Sequence, residues 1–84
     1  MKIHDLKIKI EYFNAISSGK KTFELRKNDR GFEIGDLIQF HILNKTPVRD
    51  LYVITYILKD VPEYGLDKDY CILGIKKAVI TEVQ

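Results

Sequence analysis

The residues best suited to chemistry lie close together. From Gly19 to Arg30 the chain reads GKKTFELRKNDR, in which Lys20, Lys21, Arg26, Lys27 and Arg30 are basic and Glu24 and Asp29 acidic. Five minus two gives +3, whereas all 84 residues sum to +2, so the remainder sums to −1. The positive charge is localised, and a localised basic segment attracts phosphate or another anion. A Lys-rich strand edge defended against pairing has the same composition, so charge alone does not choose between the two. Alternation adds geometry, because successive side chains of a strand point to opposite faces. Phe23 and Leu25 are expected to enter the core, leaving Thr22, Glu24 and Arg26 together on the other face. There Glu24 can hold the Arg26 guanidinium as a planar donor fork. A plain surface ion pair would contribute only about 0–1 kcal/mol.

Other candidates surround this stretch. Tyr12, Phe32 and Tyr70 offer rings on which a base can stack. Lys20, Lys27, Asn28 and Arg30 extend the polar surface available to an anionic ligand. His4 stands on the apolar parity of the first strand, where a lone histidine is chiefly a packed or hydrogen-bonded residue; it is kept as a ligand-binding candidate. His41 is far from it in sequence, and no histidine or cysteine sits at metal-ligand spacing, so neither metal nor cofactor is expected. A single cysteine, Cys71, allows no internal disulfide and lies in an apolar run, as a small buried residue does.

The elements that must position these residues follow from periodicity. Lys2–Ile10 alternates and reads as a half-buried strand. Glu11–Ser18 is a short helix, with Ile10, Phe13 and Ile16 as its stripe and Gly19 at the left-handed C-terminal position. Tyr12 falls off that stripe, towards a cleft or a half-buried site. Lys20–Lys27 is the second strand, Asn28–Gly31 a turn, Gly35-Asp36 another turn, and Leu37–Leu43 a strand with Ile38, Phe40 and Ile42 inward. Asn44–Asp50, with Pro47, reads as a polar connection. Leu51–Lys59 is apolar on both parities, which predicts a central strand covered on both faces. Asp60–Asp69 is a loop with room for one helical turn. Tyr70–Ile80 closes the sheet, and Gly74 permits a bulge or a close backbone approach.

Five strands and one short helix in one 84-residue domain predict a small α+β fold with a curled sheet or barrel. An apolar share of 45% and a charged share of 31% are those of a soluble globule. No apolar run approaches the roughly 20 residues of a membrane span. The N-terminus passes straight into alternation without a signal peptide, so the expected location is cytoplasmic, with no membrane partner. The sequence pI of about 8.7 lies below the value of about 9 typical of nucleic-acid domains. That favours one nucleotide or a short single strand over a broad duplex surface.

Gly19, Lys21, Glu24 and Arg26 fit Gly-x-Lys-x-x-Glu-x-Arg. This string resembles the signature of ASCH domains, within the PUA-like group. The wider string resembles a small single-domain ASCH-like family of bacteria and phages. It runs from Lys2-Ile3-His4 through Glu11-Tyr12-Phe13 to Ser18–Glu24, then Arg26–Arg30, Gly35-Asp36 and, more weakly, Tyr70–Ile75. The likeness spans most of the chain and is strongest over residues 2–40. It implies a PUA-like β-barrel, with the helix after the first strand beside a cleft lined by Lys21, Glu24 and Arg26, and it implies RNA binding. Strict alternation places Lys21 on the face of Phe23, so it joins such a cleft only from before the strand or at a bulge.

Some small ASCH-like proteins are amidohydrolases of an acylated cytidine, using a Lys, a Thr nucleophile and a distant Glu. Lys21 matches the Lys, but the Thr position carries Glu24, with Thr22 two residues away on the same strand face. The expectation is therefore a non-enzymatic binder of RNA or a nucleotide-like anion. An amidohydrolase and a protein-interaction module are the alternatives.

Overall fold

The computed structural model describes residues 1–79. Five strands and one α-helix follow in the order β1 (Ile3–Ile8), α1 (Ile10–Ser17), β2 (Phe23–Lys27), β3 (Leu37–Ile42), β4 (Pro47–Leu58) and β5 (Tyr70–Lys77). A single 3-10 turn, Pro62–Tyr64, interrupts the loop before β5. The sheet order is β1-β3-β4-β5-β2, so β1 and β2 are its two edges. β1 runs parallel to β3 and every other pairing is antiparallel. The result is a small α+β fold with a curled, half-barrel sheet and one short helix after the first strand.

The inner face explains most of the apolar alternation. Leu6 and Ile8 of β1, Ile38 and Phe40 of β3, Tyr52 and Ile54 of β4, and Cys71, Leu73 and Ile75 of β5 form one buried cluster. Helix α1 covers one end with Ile16 and with Phe13, whose ring meets Phe40 and Tyr52 edge-on at 6.0 and 6.4 Å. Ile10, the third member of the expected stripe, is half exposed because it sits at the helix start beyond the sheet. Gly19 takes φ +82°, and its N–H reaches Ile16 O at 3.0 Å, ending the helix as expected.

A buried polar anchor ties the chain start to the turn before β3. His4 Nε2 lies 2.8 Å from Asp36 Oδ2, which also accepts from Glu33 N at 3.0 Å; Oδ1 accepts from Lys2 N at 3.1 Å. The bond to His4, with help from the two backbone donors, outweighs burial and lowers the Asp36 pKa from 3.8 to about 2. Between those values the unfolded chain binds the extra proton, so this contribution is complete above about pH 4 and is lost as pH falls towards 2. Asp36→Asn should therefore lower the unfolding temperature at neutral pH, and the gap to the natural protein should narrow on acidification. Thermal unfolding followed by circular dichroism from pH 7 to pH 2 measures it. A gap of constant size would contradict this account.

Four expectations are corrected. Phe32 is buried, its ring 4.7 Å from His4, and is not available to stack on a base. β4 begins at Pro47, so most of the expected connection Asn44–Asp50 is strand. Its polar, half-exposed side chains carry no apolar alternation. Pro47 is tolerated opposite His41, where the register is already broken, and Asn44 makes the turn at φ +63°. The faces of β2 are reversed, with Glu24 buried and Phe23 and Leu25 about half exposed. Pairing with β5 sets this parity, because Glu24 and Arg26 stand beside the inward Leu73 and Cys71. Finally, β4 is central but covered on one face only, since Tyr56 and Leu58 are exposed.

The last two corrections have one origin. Phe23 aligns with Gly74 and Tyr56, and Leu25 with Ile72 and Leu58, so two apolar rows cross the outer face of β2, β5 and β4. A bulge between Ile54 and Tyr56 lies opposite Gly74. A Cβ there would meet Thr55 Oγ1 at 3.1 Å and Tyr56 Cβ at 3.3 Å, which is the close approach expected of this glycine. The expected last strand ran to Ile80, which lies outside the described residues; β5 ends at Lys77. Among the described residues no helix is long and apolar enough to cross a membrane.

Candidate functional site

The sheet order leaves a gap between its two edges, and Lys21, Glu24 and Arg26 gather there. Lys21 lies ahead of β2, where its N–H bonds Ala15 O at 2.9 Å and folds the segment back on α1. It is therefore free of the strand's alternation and turns towards Glu24, its Nζ 2.6 Å from Oε1. Arg26, on the same face as Glu24, donates from Nε at 2.8 Å and from Nη2 at 2.6 Å to Oε2. Nη2 also donates to Lys7 O across the gap. The Glu24 side chain is only 7% exposed. Burying a carboxylate costs several kcal/mol unless it is paired, and here both oxygens are engaged.

Two rings complete the wall. Lys21 Nζ lies 5.6 Å from the Tyr12 ring centre and 5.1 Å from that of Phe23, within cation–π range of both. Each ring is nearly half exposed. The cleft has a volume of about 510 Å³ and is bordered by Lys7, Lys9, Tyr12, Lys21, Glu24 and Arg26, with Phe23 and Leu25 at its margin. Its size suits a small ligand. Four cations less one carboxylate give a local charge of +3.

Of the residues singled out in the sequence, Lys21, Glu24, Arg26 and Tyr12 meet in this cleft. Arg30 lies beside it, in an adjoining hollow with Asp5, Lys7 and His41. The others lie elsewhere. Lys20 is exposed between helix and strand. Lys27 and Tyr70 face each other across β2 and β5 on the outer side. Asn28 donates its backbone N–H to Asp69 O at 2.8 Å. His4 is buried against Asp36. Burial holds the Cys71 thiol above its ordinary pKa, so it is a poor nucleophile at neutral pH. Lys7 and Lys9 were missed, because on a lone alternating strand they are indistinguishable from a solvated face. Only the pairing that leaves β1 at an edge gives them a role.

The model of a family described as a domain of unknown function, DUF3850, matches residues 3–75. The chain belongs to the DUF3850 family. That span includes every residue of the cleft. Over 40 residues this DUF3850 chain is 45% identical to an uncharacterized 12.9 kDa protein in the GpA 3′ region of Escherichia phage P2. The match covers 48% of this chain and 37% of the phage protein, little more than a third of that protein's length. The fold is similar to the crystal structure of hypothetical protein PH0355, with a TM-score of 0.65 at 18% identity, over 93% of this chain and 100% of that one. At that identity the likeness concerns the fold alone.

Proposed function

We propose that this DUF3850 domain is an ASCH-like, PUA-like module of the cytoplasm that binds RNA or a nucleotide-like anion between β1 and β2. One observation carries the reading: a buried glutamate braces two cations beside two half-exposed rings, inside a cleft of local charge +3. The cations supply charge-assisted bonds to phosphate, and Tyr12 and Phe23 supply faces for a base, at about 1–3 kcal/mol per stacked base. Titration with nucleotides and short single-stranded RNA at low salt tests it. Saturable binding that weakens as salt rises is the expected result. No saturable binding at low salt would reject it.

Acyl transfer needs a hydroxyl nucleophile beside a base and an oxyanion site. At the corresponding position stands Glu24, both oxygens bound to cations. Thr22 borders a different hollow, with Ser17, Gly19, Lys21 and Tyr52, while the Lys21 ammonium is turned to Glu24. The natural protein should therefore release no acetate from acetylated cytidine, and Glu24→Thr is the single change best placed to create a trace. Turnover by the natural protein that disappears in Lys21→Ala would overturn this.

The outer face supports a second reading, in which a second copy of the chain covers the apolar rows of β2, β5 and β4. Half-exposed Leu25, Tyr56, Leu58 and Tyr70, with Phe23 shared between this face and the cleft wall, present an apolar surface of roughly 400–600 Å². Two such faces would bury about 1,000 Å², the threshold of a weak specific dimer. Sedimentation at rising concentration tests it, with Tyr56→Lys expected to keep the chain monomeric.

A further inference from the structure

We infer that the cleft continues past Lys7 into a second phosphate subsite held by Arg30, so that the ligand is a single-stranded oligonucleotide of at least two nucleotides. This rests on reading the first cavity as a nucleotide site. The repeat of the β1 backbone carries the inference. Leu37 N donates to Lys2 O, so the even-numbered residues of this strand turn their backbone towards β3. Ile3, Asp5 and Lys7 therefore turn theirs to the gap. Arg26 Nη2 bonds the carbonyl of Lys7, and Arg30 Nη1 bonds the carbonyl of Asp5 at 2.9 Å.

Carbonyls two residues apart on an extended strand are about 6.6 Å apart. The two guanidiniums are thus anchored on acceptors one strand repeat apart, a separation of the order of that between successive phosphates on an extended single strand. Each keeps a nitrogen with no acceptor among the described residues, Nη1 in Arg26 and Nη2 in Arg30. Lys7 borders both hollows and stands between the two sites. The second hollow, about 440 Å³, carries Lys7 and Arg30 against Asp5, with the exposed Asp29 Oδ1 4.0 Å from Arg30 Nε. The Asp5 carboxylate is engaged by His41 Nε2 at 3.0 Å. The chain leaves β2 at Lys27 and turns, which returns Arg30 over β1 and sets the pair in line.

Titration with uridine 5′-monophosphate, with 5′-phosphorylated oligouridylates of two and four nucleotides, and with 5′-phosphorylated oligodeoxythymidylates of the same lengths tests this. Affinity should climb at least tenfold from the monophosphate to the dinucleotide in one polymer or both. The salt slope should steepen by about 0.7 for the added phosphate. Arg30→Ala should remove that climb while leaving monophosphate binding within about twofold. Equal affinity for monophosphate and oligonucleotides would overturn the second subsite and leave the first reading standing. So would an Arg30→Ala loss that is equal for every ligand. Failure of every ligand to bind would overturn both.

Discussion

Glu24→Ala should lower the stability of the domain by about 3 kcal/mol, the cost of removing one partner from a buried charge cluster. Glu24 is the hub, since Lys21 and Arg26 touch its two oxygens at 2.6–2.8 Å and are themselves 18% and 22% exposed. Without the carboxylate, two cations face each other across a half-buried pocket with no counter-charge. For a domain of this size, 3 kcal/mol corresponds to a fall in unfolding temperature of roughly 12–24 °C, read in a thermal melt. Glu24→Gln should recover part of it, because an amide oxygen still accepts a bond but carries no charge. A loss below 1 kcal/mol in Glu24→Ala would mean that the trio behaves as a solvated surface cluster.

Arg26→Ala should weaken binding of a nucleotide by about 2–3 kcal/mol, roughly 30- to 150-fold. The guanidinium is held by Glu24 through Nε and Nη2 and by Lys7 O through Nη2. Ordering it for the ligand therefore costs little further entropy. Arg26→Lys should recover little of the affinity, since an ammonium keeps the charge but cannot span Glu24, the β1 carbonyl and a phosphate at once. Isothermal titration of both variants measures this, with a melt to confirm that each is folded. Full affinity in Arg26→Lys would show that charge alone matters.

The fold was largely legible because β1, β3 and β5 each bury one parity, and α1 shows a clear stripe closed by Gly19. The start of β4 was hidden, because its exposed polar end has no alternation to detect. At the site, the Glu24–Arg26 pairing followed from two-residue spacing on one face; Lys21 was expected inside a strand Lys20–Lys27 and meets Glu24 because β2 begins only at Phe23. The face itself was misread. Hydrophobicity sends Phe23 and Leu25 inward, but register with β5 sends Glu24 inward instead, and its two cations make that burial tolerable. Arg30 was named in the sequence as part of the basic segment and Lys7 was not; what places both is contact between β1 and the β2 segment, 19 and 25 residues apart in sequence. Nothing local encodes that distance.

Backbone and side-chain resonances followed by NMR during titration with a single-stranded tetranucleotide test the central claim most directly. Shifts should saturate and concentrate at Lys7, Tyr12, Lys21, Phe23, Glu24 and Arg26, while Ile72, Tyr56 and Leu58 on the outer face stay unchanged. Shifts confined to that outer face, or none that saturate at low salt, would contradict a nucleotide site between β1 and β2.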